Sequence, residues 1–222
     1  MCYSHGRERD DTRDTMTPFY DITISVQNGL AVWPGDTPYR FALGWDMGAG
    51  ASVNVGVVTM SAHTGTHVDA PFHFDPHGAG VDTLDPSVFF GPVVVVDATG
   101  RSEIGREVFA GVDWVRTPRV LVRTGTWTDY TRFPDAVPTL ADDVPAFLGA
   151  NGVRLFGVDV PSVDAMDSKT LPIHHALAAQ GITILESADL RAVPPGVYTL
   201  IALPLRLVGA DASPVRAILT TL

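Results

Sequence analysis

The sequence predicts a single mixed α/β domain with a large central β-sheet flanked by short helices. Strand patterns outnumber helix patterns along the 222 residues, and no repeat of roughly 20–50 residues indicates a solenoid or a propeller. The length suits one sizeable domain better than two. Hydrophobic residues make up 45% of the chain, which is enough for a real core. The patterns do not decide between an open sheet and one closed into a barrel.

The beginning of the chain differs in composition from the rest. Residues 1–17, MCYSHGRERDDTRDTMT, carry charges of both signs, with no periodicity and little apolar content. We therefore predict a disordered leader over residues 1–17 and one folded domain over residues 18–222. The leader lacks the apolar segment of a secretory signal, and the chain has no apolar run of about 18 residues that could span a membrane.

The first strands are recognised by their alternation of apolar and polar residues. Phe19–Val26 and Val53–Met60 both alternate in this way. Pro92–Asp97 reads PVVVVD, a β-branched run that is typical of a strand covered on both faces. Further strands are predicted over Arg119–Arg123, Arg154–Val158, Ile182–Glu186, Val197–Leu203 and Val215–Thr220.

Two helices and four long connections complete the predicted domain. Leu140–Gly149 ends in glycine, and His174–Gln180 is stopped by Gly181, as is usual at a helix C-terminus. Long connections within a compact domain are often functional. Those rich in proline and glycine are Trp33–Pro38, Ala70–Gly80, Thr124–Pro138 and Val160–Pro172.

Charge and cysteine content exclude several classes of partner and site. The formal net charge is −10, which argues against nucleic acid or an anionic membrane as a partner. The single cysteine, Cys2, cannot form an internal disulfide. We therefore expect a cytoplasmic protein.

The strongest functional signal is a histidine-rich loop. Ser61–Gly78 reads SAHTGTHVDAPFHFDPHG and holds four of the seven histidines. Within it, His63, His67 and Asp69 form an H-x-x-x-H-x-D array. Imidazole and carboxylate groups are ligands that suit zinc, manganese or iron in a hydrolytic site. The alternative is a pair of surface histidines on a helix, but Gly65 and its β-branched neighbours argue against a helix. We predict a metal site here.

A second group of candidate residues lies between Val158 and Glu186. Because Gly181 reverses the chain, His174 on the helix and Glu186 at the end of the strand could meet. By itself this is weak, since a histidine pair that opens a helix is more often a surface feature. A Ser–His–Asp triad is disfavoured because no G-x-S-x-G elbow is present. The charged and histidine residues of this group are Asp159, Asp164, Asp167, Lys169, His174, His175 and Glu186.

These motifs together resemble a known family. The stretch HTGTHVDAPFHF is similar to the signature of the cyclase-family metal hydrolases. Five further blocks resemble the bacterial kynurenine formamidase branch, and the resemblance runs from about Phe19 to the C-terminus. These blocks are VWPGDTP (Val32–Pro38), DSKTLPIHHAL (Asp167–Leu177), ILE (Ile184–Glu186), PPGVYTLIALPL (Pro194–Leu205) and DASPVRA (Asp211–Ala217).

The resemblance implies a site with two zinc ions per chain. His63, His67 and Asp69 would hold the first ion, with Asp69 bridging to the second. His174, rather than His175, would bind the second ion, and Glu186 would reach both. The resemblance also makes His73 the proton donor and acceptor and sets Trp33 against the aromatic ring of the substrate. A buried loop anchor is the alternative role for Trp33.

The activity implied is hydrolysis of N-formyl-L-kynurenine to L-kynurenine and formate in tryptophan degradation, carried out by a homodimer. The chemistry agrees, because a metal lowers the pKa of bound water toward about 7 and a histidine can protonate the departing amine. One alternative is a hydrolase of another small aromatic or cyclic amide. The other is a non-catalytic zinc-binding protein, against which His73 argues because zinc storage needs no proton carrier.

Overall fold

The computed structural model describes residues 19–221, so the predicted leader of residues 1–17 lies outside the described residues. The two α-helices of this range are α1 (Val144–Ala150) and α2 (Pro172–Ala179). The strands are β1 (Phe19–Asp21), β2 (Arg40–Trp45), β3 (Val55–Thr59), β4 (His67–Asp69), β5 (Phe90–Asp97), β6 (Glu103–Ile104), β7 (Arg119–Arg123), β8 (Thr139–Leu140), β9 (Leu155–Val158), β10 (Thr183–Glu186), β11 (Gly196–Ile201), β12 (Ala212–Pro214) and β13 (Ile218–Thr220). Neither described helix has the length and apolar content needed to cross a membrane.

One mixed sheet of nine strands organises the domain, in the order β1-β13-β11-β5-β7-β9-β10-β4-β12. The central strands β5, β7, β9 and β10 run parallel, and the strands outside them pair antiparallel. Because β1 and β12 form separate ends of this order, the sheet is open over residues 19–221. The predicted single mixed α/β domain with a large central sheet is confirmed.

Apolar side chains cover both faces of the sheet. On β5, Val94 and Val96 join the core cluster that also contains Leu148 of α1 and Leu177 of α2. The alternate residues Val93 and Val95 belong to a second cluster, which includes side chains from β11 and β13. Successive strand residues point to opposite faces, so one unbroken apolar run supplies both clusters. The prediction of a strand buried on both faces is correct.

Several element boundaries differ from the sequence prediction. The first helix begins at Val144 instead of Leu140, because Thr139–Leu140 forms β8 and pairs in parallel with β6. The predicted strand over Phe19–Val26 ends at Asp21, with only an isolated bridge from Thr23 to Ala188 beyond it. In both cases, pairing with a distant segment decides where the element ends.

A hairpin formed by β2 and β3 stands apart from the large sheet. The two strands pair antiparallel with a bulge near Trp45, and their residues are exposed on both faces. An isolated two-stranded hairpin has little stability of its own in water. Its exposed apolar side chains, 43–61% accessible, are Phe41, Leu43, Trp45, Met47, Val53, Val55, Val57 and Val58.

The carboxyl ends of the parallel strands bring functional residues to one edge of the sheet. Glu186 is the last residue of β10, Asp159 follows β9, and Thr124 follows β7. The buried carboxylate of Asp159 accepts hydrogen bonds from the backbone N–H groups of Thr124 and Gly125. Ligands in open α/β sheets commonly bind beyond this edge.

Candidate metal centre

The short strand β4 presents His67 and Asp69 on one face of the sheet, since residues two apart on a strand point the same way. The sequence had indicated a loop for these two residues. In the structure they lie on a buried strand. Antiparallel pairing sets His67 directly opposite Glu186 of β10. His63 lies in the turn before β4, where Gly65 takes a left-handed conformation with φ of 68°.

Five side chains predicted as ligands meet at this place. Asp69 Oδ1 lies 3.2 Å from His63 Nδ1 and 3.4 Å from His67 Nε2. Its other oxygen, Oδ2, lies 3.6 Å from His174 Nε2. Glu186 repeats this division, with Oε2 3.6 Å from His67 Nε2 and Oε1 3.5 Å from His174 Nε2. Each carboxylate thus offers one oxygen beside His67 and the other beside His174.

The ring nitrogens that face away from this cluster all have hydrogen-bond partners. His63 Nε2 lies 3.0 Å from Asp211 Oδ2, and His67 Nδ1 lies 2.9 Å from the carbonyl oxygen of Gly65. His174 Nδ1 lies 2.6 Å from Asp164 Oδ2. If each outer nitrogen donates its proton, the inner nitrogen keeps a lone pair directed at the cluster. Such outer partners fix the tautomer and orientation of metal-binding histidines.

The cluster is electrostatically suited to positive charge. Burial alone lowers the pKa of His174, but Asp164, Asp69 and Glu186 outweigh burial and raise that pKa to about 10. Burial likewise lowers the pKa of His63, whereas Asp69 and Asp211 raise it to about 9. Burial and the charge of Asp69 raise the pKa of the Glu186 carboxyl. The carboxylates therefore attract cations into a buried space.

Unpartnered buried atoms provide a direct test of whether the residues fit a metal. Among the described side chains, His67 Nε2 and both carboxylate oxygens of Asp69 are buried without a hydrogen-bond partner. Leaving such groups unpaired inside a protein is costly, so buried charges are usually paired or bind metals. Imidazole nitrogen with carboxylate oxygen is also the donor set of hydrolytic zinc, manganese and iron sites. The residues fit a metal centre.

His73 lies beside the cluster on a single 3-10 turn, Pro71–His73. Its ring centroid is 4.1 Å from that of His63, and its side chain is 31% exposed. Burial is the main cause that lowers the pKa of His73, so its neutral form predominates at neutral pH. The position suits a proton carrier that reaches solvent. His63, Asp69 and His73 are also close enough to form a metal-binding group of their own.

A largely apolar cavity of about 320 Å³ opens onto the cluster. Trp33 lies on its wall with 39% of its surface exposed, and its ring packs edge-on against Phe133 at 5.5 Å. Trp33 is therefore not a buried loop anchor. Phe133 and Trp127 also line this wall. A small aromatic molecule would find flat apolar contacts here and the metal-binding groups at one end.

Two wall residues have left-handed backbone conformations, which are unusual for side chains larger than glycine. Leu171 has φ of 45° and Ser187 has φ of 59°, and they are the only non-glycine residues of the described range with positive φ. Ser187 follows Glu186, and Leu171 precedes helix α2, which carries His174. Backbone strain of this kind often occurs at functional sites.

Sequence reasoning left two carboxylates without a role. Asp164 accepts hydrogen bonds from the backbone N–H groups of Ile173 and His174 in addition to its contact with the His174 ring. Asp211 Oδ2 lies 3.8 Å from His73 Nδ1 as well as 3.0 Å from His63 Nε2. Asp164 stood within the second candidate group, and Asp211 opens the DASPVRA block, so both positions carried a signal.

Two details bear on the alternatives for this region. His174 is buried within the cluster, whereas its neighbour His175 is exposed. The hydroxyl oxygen of Ser162 accepts a hydrogen bond from the N–H of Asp164, and that of Ser168 accepts one from Leu171. Neither serine is hydrogen-bonded to His174 in the described residues, so the structure offers no Ser–His–Asp triad there.

Comparison with known proteins identifies the family of the chain. The sequence model of the putative cyclase family matches residues 20–165, which include the histidine-rich segment. The chain belongs to the cyclase family. The kynurenine formamidase of Geobacillus thermodenitrificans strain NG80-2 is 47% identical over 204 residues, covering 92% of this chain and 98% of that protein. The resemblance of this cyclase-family chain to the kynurenine formamidase branch is confirmed.

Two solved structures share the fold of this chain. A predicted metal-dependent hydrolase from Bacillus stearothermophilus matches with a TM-score of 0.75 and 28% identity, over 92% of this chain and 98% of that one. Isatin hydrolase A from Labrenzia aggregata, bound to benzyl benzoate, matches with a TM-score of 0.76 and 26% identity, over 92% and 94% of the two chains.

Proposed function

We propose that this chain is a metal-dependent amide hydrolase that converts N-formyl-L-kynurenine to L-kynurenine and formate. The observation that carries the substrate is the 47% identity with a kynurenine formamidase over nearly the whole of both chains. The metal-dependent hydrolases among the solved structures and the buried ligand cluster support the use of a metal. A cavity lined by Trp33 and Phe133 suits an aromatic formamide.

We further propose two zinc ions per chain. His63, His67 and one oxygen each of Asp69 and Glu186 would hold the first, while His174 and the other two oxygens would hold the second. Support comes from the way each carboxylate divides its oxygens between His67 and His174. Divalent cations held in this way would supply Lewis-acid activation of water and of the formyl carbonyl.

The remaining chemistry belongs to side chains of the protein. Water adds to the formyl carbon, a C–O bond forms, and the C–N bond to the arylamine breaks. The imidazole of His73 takes a proton from the attacking water and returns it to the departing nitrogen, because an aniline-type anion leaves poorly. Trp33 and Phe133 would hold the aromatic ring in place during this transfer.

A substrate panel tests the proposed activity. We expect the zinc-loaded protein to hydrolyse N-formyl-L-kynurenine with a higher kcat/KM than formanilide or isatin, and removal of the metal with a chelator to abolish turnover. Isatin is included because an isatin hydrolase shares the fold at 26% identity. Preference for isatin would favour a cyclic-amide hydrolase instead. Tight zinc binding without turnover of any of the three would favour a non-catalytic zinc-binding protein.

We also propose that the chain forms a homodimer through the β2–β3 hairpin, and that it acts in the cytoplasm. The hairpin exposes eight large apolar side chains over both of its faces, and clustered exposed apolar side chains favour an interaction surface. A second copy is the simplest partner, because two-fold symmetric self-association is the commonest form of oligomer. Burial of both hairpins would also stabilise strands that are marginal in isolation.

Replacing Trp45 by glutamate tests the dimer. We expect sedimentation velocity to give a dimer for the wild type and a monomer for Trp45→Glu at the same micromolar concentration, since a charge would be buried twice in a symmetric contact. Val115→Glu is the matched control, because Val115 is apolar, 95% exposed and outside the hairpin. A monomeric wild type, or a variant that remains dimeric, would contradict this interface.

A further inference from the structure

The wall of the cavity contains one charged side chain that belongs to neither the ligand cluster nor the proton carrier. Asp36 lines the cavity beside Trp33, and its side chain is half-buried. The other charged or titratable residues on this wall are His63, His67, His73, His174 and Glu186. No lysine or arginine lines this cavity within residues 19–221.

The backbone holds Asp36 close to Trp33. The N–H of Asp36 donates a hydrogen bond to the carbonyl oxygen of Trp33 at 2.9 Å, which closes a tight turn. One carboxylate oxygen of Asp36, Oδ1, accepts a hydrogen bond from the N–H of Thr37. Among the described residues, no cationic side chain lies within ion-pair distance of Asp36. Its negative charge is therefore available to a cation that enters the cavity.

The proposed substrate carries such a cation. N-Formyl-L-kynurenine has its formamide on one ring carbon and, on the adjacent carbon, a ketone chain that ends in an α-ammonium and an α-carboxylate. If the formamide faces the metal-binding residues and the ring packs on Trp33, the amino-acid chain can extend toward Asp36, which shares a turn with Trp33 on the same wall. A carboxylate there attracts the ammonium group and repels the α-carboxylate.

We propose that Asp36 is a specificity residue that binds the α-ammonium group of the amino-acid substrate. This inference rests on the proposed function and extends it to the part of the substrate that does not react. An enzyme that selects through Asp36 distinguishes an amino-acid formamide from a plain aryl formamide of similar shape. A hydrogen bond between charged groups in a partly buried site changes affinity by about tenfold.

Two substrates and two variants separate this role from a structural one. The substrates are N-formyl-L-kynurenine and 3-(2-formamidobenzoyl)propanoate, which lacks only the ammonium group. Asp36→Asn removes the charge but keeps an oxygen that can accept from Thr37. Asp135→Asn is the control, because it removes the same charge from an exposed residue that does not line the cavity.

We expect Asp36→Asn to lower kcat/KM for N-formyl-L-kynurenine about tenfold, mainly through KM, and to change the deamino substrate less than about twofold. Asp135→Asn should leave both unchanged. An equal loss of kcat/KM for both substrates would mean that Asp36 only stabilises the turn. No loss of kcat/KM for either substrate would mean that another group binds the ammonium. A wild type that hydrolyses neither formamide would overturn the proposed function itself, a result distinct from a loss of selectivity alone.

Discussion

Replacing His73 by asparagine is expected to lower kcat for N-formyl-L-kynurenine by about 10²–10⁴-fold, the usual contribution of a general acid–base, while the protein keeps its metal. The His73 ring lies against His63 and reaches solvent, with 31% of its side chain exposed. It lies on a separate 3-10 turn that begins at Pro71. His73 takes no part in the contacts that join Asp69 and Glu186 to His67 and His174. A proton carrier needs such access to solvent.

The dependence on leaving group gives this prediction its sharpest test. Formylated anilines with poor leaving groups should lose the most activity in His73→Asn, because protonation of the departing nitrogen matters most for them. An activated formate ester should be affected much less. His77→Asn is the matched control, since His77 is an exposed histidine of the same segment, and its activity should stay within about twofold.

Metal analysis of His73→Asn distinguishes a metal ligand from a proton carrier at this position. His73 lies close enough to His63 and Asp69 to complete a metal-binding group, so the geometry alone permits a ligand role. A variant that loses a metal ion would assign His73 to the ligands. A variant that retains its metal and full formamidase activity would mean that another group carries the proton, with His175 the next candidate.

Local pattern was sufficient for the central strands but not for the edges of the fold. The run Pro92–Asp97 predicts a strand buried on both faces, because its β-branched residues point to both sides of the sheet. The two core clusters bury the two faces of β5. The hairpin strand β2 was missed because its sequence, RFALGW, does not alternate between apolar and polar residues, whereas its equally exposed partner β3 was predicted from such alternation. Strand β4 was interpreted as a loop because it has only three residues, and two of them, His67 and Asp69, are polar.

Residues of the candidate site that are close in sequence could be predicted, whereas those brought together by distant pairing could not. His63, His67 and Asp69 lie within seven residues, so one turn and one short strand bring them together. Asp211 is 148 residues from His63 in sequence, and only the pairing of β12 with β4 brings it beside that ring. Asp164 had neighbours of the right chemistry, but its role depends on the loop that carries it to the start of α2.

The metal content of His174→Ala is the other result with a large expected effect. We expect the wild type to bind two zinc-class ions per chain and His174→Ala to bind one, with activity lower by about 10³-fold or more. Within residues 19–221, His174 supplies the only imidazole within 4 Å of Asp69 Oδ2 and Glu186 Oε1, so its loss leaves that position without an imidazole from the described residues. Metal analysis after dialysis, together with titration calorimetry, measures both changes.

His175→Ala is the matched control for this experiment, because it removes an exposed histidine from the next position of the same helix and should keep both ions. The comparison separates the loss of a ligand from any general weakening of α2. Asp69→Asn should lower metal content and activity more than His174→Ala does. One Asp69 oxygen lies beside His67 and the other beside His174, and neither has a hydrogen-bond partner among the described residues. A fully active wild type with one ion per chain would refute the two-ion centre and make Glu186 a ligand of a single metal.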